Sequence, residues 1–67
     1  MKINLFKTTL KEVEEKMNGT QWIDRNGNTR TVAKVYIDGY YGGYCVKWDD
    51  NSWNFVDSVL RNATQVL

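Results

Sequence analysis

Polar and apolar positions change their period along this chain of 67 residues. Residues 2–7 alternate, with Ile3 and Leu5 set against Lys2 and Asn4 until Phe6 breaks the pattern, which predicts a short strand or an extended arm. Thr9-Leu10-Lys11-Glu12 has the form of a capping box, with Thr9 accepting from the Glu12 N–H and Glu12 reaching back. Leu10, Val13 and Met17 follow at helical spacing, and Asn18-Gly19 supplies a left-handed stop. A helix of about two turns is expected, too short to stand without packing on something.

From Thr20 onward the period is two. Thr20 to Asp24 and Asn28 to Asp38 flank Arg25-Asn26-Gly27, and Asn-Gly is the strongest short hairpin signal. Strict alternation in the second run sends Ala33, Val35 and Ile37 to one face and Val32, Lys34 and Tyr36 to the other. Gly39-Tyr40-Tyr41-Gly42-Gly43 reads as a loop. Tyr44, Val46 and Trp48 share one face of the next strand, Asp49-Asp50-Asn51 has turn chemistry, and Ser52 to Val56 returns as a strand. Asp57 is placed to cap a single helical turn over Ser58 to Arg61, and Ala63 to Leu67 form a last short strand. One domain is expected, with an N-terminal strand and helix (1–19) followed by an antiparallel β meander (20–67). The fold class is α+β and β-rich: one short N-terminal helix with a four- to five-stranded antiparallel sheet. A small barrel and a helix packed across an open sheet both fit this pattern.

The element order from residue 20 to 67, together with Val46-Lys47-Trp48-Asp49-Asp50-Asn51-Ser52-Trp53-Asn54-Phe55-Val56 and the following Asp57-Ser58-Val59-Leu60, resembles an SH3-like small barrel of the Tudor or chromo type. That resemblance implies a binding domain, in which Tyr40 and Tyr41 with Trp22, Tyr36 or Tyr44 would form a cage for a cationic side chain. The N-terminal strand and helix lie outside the barrel pattern.

Composition narrows the chemistry. Nine residues are aromatic, and Trp22, Trp48, Trp53 and Phe55 are expected to build the core. His is absent and Cys45 is the single cysteine, so no internal disulfide, Cys/His zinc cluster or imidazole base is available. Cys45 is expected as a half-buried strand residue, since a nucleophile would want a base beside it. Asp49-Asp50 lacks the further oxygen ligands of a calcium loop and is read as a turn. No catalytic residue, cofactor or metal is therefore expected. The formal net charge of +1 is far from that of a dedicated DNA binder. No apolar run reaches membrane-spanning length and the start lacks a signal-peptide core, so a cytoplasmic protein with a reduced cysteine is expected.

The expected function is a small, non-catalytic protein-binding module, of the type of phage or mobile-element accessory and inhibitor proteins, acting on a host protein. Its contacts are expected from Tyr40, Tyr41, Tyr44, Trp22 and Tyr36, because glycines present the tyrosines and tyrosine is enriched at interfaces. Either both loop tyrosines are offered to a partner, or one folds back over the core. The alternative is a nucleic-acid-binding SH3/Tudor-like domain whose Arg25, Arg30 and Lys34 track phosphates while aromatic rings stack on bases. A homodimer through the open edge of the N-terminal strand is a further expectation.

Overall fold

The computed structural model describes residues 7–67, so the alternating segment from Ile3 to Phe6, and the homodimer edge expected there, lie outside the described residues. Helix α1 spans Leu10–Met17. Thr9 Oγ1 accepts from the Glu12 N–H at 3.3 Å, as the capping pattern predicts, but the Glu12 carboxylate accepts from Thr8 Oγ1 at 2.9 Å instead of reaching back to Thr9. The chain leaves the helix through Gly19, whose φ of +77° would strain any residue with a side chain. Val13 and Met17 are fully buried, which fixes the short helix by packing.

Five strands follow: β1 Gln21–Ile23, β2 Thr29–Ile37, β3 Tyr44–Trp48, β4 Trp53–Phe55 and β5 Thr64–Val66, with helix α2, Val56–Asn62, between β4 and β5. They form one antiparallel sheet in the order β4-β3-β2-β1-β5, curled into a half-barrel. The α+β, β-rich class is thus the observed one, with a second helix longer than the single turn expected. Phe55 occupies the position before α2 and makes no side-chain cap; Asp57 lies in the first turn and pairs with Arg61 at 3.2 Å. The helix begins at Val56 because Val56 and Val59, three residues apart, both face the core.

Alternation fails in β2. Its register with β3 shifts between Val32, opposite Trp48, and Lys34, opposite Lys47, leaving Ala33 as an extra residue. This bulge puts both Val32 and Val35 in the core and turns Ala33 outward, so the expected grouping of Ala33 with Val35 is wrong. It also stands where β2 changes partner, pairing with β1 through Thr29 to Thr31 and with β3 from Val32 onward. Bulges bend strands, and here the bend lets one strand serve both arms of the half-barrel.

One core lies inside the curl: Val13, Met17, Trp22, Val32, Val35, Val46, Trp48, Val56 and Val59, with Leu10, Tyr44, Leu60 and Ala63 packed around it. No helix among the described residues is long and apolar enough to cross a membrane.

Candidate functional site: an aromatic outer face

Strand parity decides which side chains escape this core. Lys34 pairs with Lys47 and Tyr36 with Cys45 across β2 and β3; Cys45 pairs with Phe55 and Lys47 with Trp53 across β3 and β4. Since Val46 and Trp48 point inward, this second set points outward. The outer face therefore carries two rows, Lys34–Lys47–Trp53 and Tyr36–Cys45–Phe55.

The β2–β3 loop extends the second row. Asp38 N donates to Gly43 O at 2.9 Å, and Gly42 N, at a φ of +74°, donates to Asp38 O at 2.8 Å. The Asp38 carboxylate accepts from the Tyr40 N–H at 3.2 Å and the Tyr41 N–H at 2.6 Å. The loop is thus bonded to its own stem, and it holds both tyrosines out, 87% and 70% exposed. Of the two arrangements open in the sequence, neither ring folds back over the core.

The rings touch in sequence. Tyr40 and Tyr41 meet edge-on at 4.7 Å, Tyr41 meets Phe55 at 5.8 Å, and Phe55 meets Trp53 at 5.3 Å. All three contacts have the edge-to-face geometry that aromatic quadrupoles favour. Trp53 is 49% exposed and Phe55 half-buried, which corrects their expected place in the core. The physical reason is Trp48: its indole N–H, buried, donates to Asn54 Oδ1 at 2.7 Å, so Asn54 must face inward and its neighbours outward. Below the rings Cys45 is fully buried, not half-buried as expected, and burial followed by the charge of Asp38 pushes its thiol pKa up. Tyr36 is likewise raised, by burial first and then by the charges of Cys45 and Asp38.

The remaining residues singled out from sequence lie elsewhere. Trp22 is in the core with its N–H donated to Thr20 Oγ1 at 2.8 Å. Tyr44 packs against the core and donates its hydroxyl to Thr8 O at 2.9 Å. Arg25 donates to Asn62 Oδ1. Arg30 lies 4.5 Å above the Trp48 ring, pairs with Asp24 at 3.8 Å and donates to Ser52 Oγ and Asn54 Oδ1. Both arginines line a hollow of about 240 Å³ with Trp48 and Asn62 at the mouth of the core. The five aromatics expected as a cage are therefore split between faces, and Lys34 stands apart from Arg25 and Arg30.

Sequence reasoning missed Trp53, Phe55, Lys47 and Asp38. A signal for the first three was present. A three-residue turn, Asp49-Asp50-Asn51, pairs Trp48 with Ser52 and hence Lys47 with Trp53, so an outward Lys47 implies an outward Trp53. Comparison of the chain with protein-family models, curated proteins and solved structures finds no match.

Proposed function

We propose that the chain is a small, non-catalytic protein-binding module whose interface is the outer face of β2, β3 and β4 with the loop between β2 and β3. One observation carries this reading: Tyr40, Tyr41, Phe55 and Trp53 form a continuous row of rings on the outer face, with all but the half-buried Phe55 exposed. Scattered apolar exposure is ordinary, but a contiguous aromatic row held by a hydrogen-bonded loop is the composition of an interface centre. The absence of His and the burial of Cys45 support a binding role over a catalytic one. An accessory or inhibitor role of the kind carried by phages extends this proposal. The strand order and the helix between the last two strands support a likeness to SH3-like barrels, although Trp22 and Tyr44, two of the rings expected in a cage, are taken up by the core.

Nucleic acid is the weaker reading because Arg25 and Arg30 are held by Asn62, Asp24, Asn54 and Trp48 on the other side of the sheet. The test is affinity capture from the cell that encodes the chain, with parent protein and the Tyr41→Ala/Trp53→Ala double variant, each with and without nuclease. Capture of one partner protein by the parent alone, unchanged by nuclease, is the expected result. Equal capture by both proteins would remove the outer face from the interface, and capture lost to nuclease would replace protein with nucleic acid.

A further inference from the structure

We infer that the hollow between Lys34 and Lys47 receives a carboxylate of the partner protein, on an extended segment with an apolar or aromatic side chain two residues away. This deepens the protein-binding reading and rests on it. The hollow, about 320 Å³, is lined by Lys34, Tyr36, Lys47, Asn51 and Trp53. Each of these side chains can donate a hydrogen bond, and none is acidic: two ammonium groups, a phenol, an amide and an indole N–H.

The two lysines are directly opposed across β2 and β3. Like charges at such a position work against the sheet. Among the described residues the ion pairs are Arg30–Asp24 and Arg61–Asp57, and neither lysine takes part in one. An arriving anion would meet two solvent-exposed ammonium donors with a ring on each flank. A charge-assisted bond of that kind is among the stronger polar contacts available.

Asp49 and Asp50, in the turn that carries Asn51, do not line the hollow, and the other carboxylates of the face bear on which anion it takes. Lys34 and Lys47 stand at the Trp53 end. Asp38 holds the tyrosine loop at the other end, and Asp57 lines the hollow beside Phe55. A nucleic-acid strand brings a phosphate with every nucleotide and would be driven against Asp38 and Asp57. A protein segment can place a single acid at one end. Successive outward residues on a strand are about 7 Å apart, so the lysine row and the Tyr36–Phe55 row match side chains two residues apart on an extended chain.

The probes are the hexapeptide acetyl-Ser-Glu-Ser-Phe-Ser-Lys-amide, its Glu→Gln counterpart and an eight-nucleotide oligo-dT, titrated into the ¹⁵N-labelled protein. The acidic peptide should shift the Lys34 and Lys47 amides and the Trp53 indole N–H saturably, with the Gln peptide binding at least tenfold more weakly. Lys47→Gln should erase that difference while its Tm stays level or rises; Lys34→Gln serves if that variant is poorly folded. Equal binding of both peptides, or no saturable shift from either, overturns the carboxylate inference and leaves the protein-binding reading to the capture experiment. Tighter binding of oligo-dT, weakening as salt rises, overturns both.

Discussion

Cys45 shows how much a single position depends on what lies across the sheet. Its neighbours Tyr44 and Val46 face the core, so by parity it belongs outside, yet it is fully buried. Tyr36 and Phe55, its partners in the two flanking strands, account for this, because large rings in register on either side close over a small side chain. The fold therefore holds the neutral thiol. An unfolded chain ionises its thiol around the ordinary value of 9.0, while the folded one resists. The thiol's contribution is thus complete below about pH 9 and is lost as pH rises through the folded value. Tyr36, raised above 10.0, acts in the same direction at higher pH. The urea midpoint should accordingly fall from pH 8 to pH 10.5, and less steeply in Cys45→Ala. Iodoacetamide at neutral pH should label native Cys45 far more slowly than the urea-unfolded chain; equal rates would contradict the burial of the thiol beneath the rings.

At the scale of elements, the β3–β4 hairpin decides what the outer face contains. Asn51 takes a φ of +71° at the end of its three-residue turn, the place Gly27 takes, at +83°, in the β1–β2 hairpin. Both loops were legible in the sequence as turn chemistry, as were helix α1 and the approximate extent of every strand described. The inward or outward sense of the strands was only partly legible. Periodicity assigns faces locally, and the extra residue Ala33 reverses the count in the middle of β2 without any glycine or proline to mark it. In β4 two aromatics flank an asparagine, and hydrophobicity alone puts the aromatics inside. The buried indole N–H of Trp48 favours the opposite choice, because an inward Asn54 gives it an acceptor that neither flanking ring could supply. Asn54→Ala should therefore destabilise the protein by about 1–3 kcal/mol. In a domain this small that is a Tm lower by roughly 4–8 °C for each kcal/mol. Asn54→Asp keeps the acceptor and should lose much less. If calorimetry finds the two variants alike, the indole bond is not what orients β4.

The described residues form a half-barrel with the last strand, β5, at one edge. β5 pairs with β1 through Thr64 to Val66, opposite Ile23, Trp22 and Gln21, and Ala63 packs against the core. β1 is three residues long and holds Trp22, one of two buried tryptophans, so its position depends on partners on both sides. A domain of this length has a total stability of roughly 3–10 kcal/mol at about 0.05–0.15 kcal/mol per residue, which leaves little to spare for a lost strand. The helix α2 is in the same position, since it hangs between β4 and β5 and its Val56 and Val59 fill the core from that connection. Removing residues 63–67 should uncouple these parts together: β1 becomes an edge three residues long, Trp22 gains access to water, and α2 loses its C-terminal anchor. The shortened chain should melt at least about 10 °C lower than the parent, or without a cooperative transition, as a loss of 2 kcal/mol or more implies. Its tryptophan fluorescence at 25 °C should move to longer wavelength, and sedimentation should show association through the freed β1 edge. A shortened chain that keeps both the parent Tm and its emission maximum would mean that β1 is held by β2 and the core alone, with β5 adding no stability to the curl.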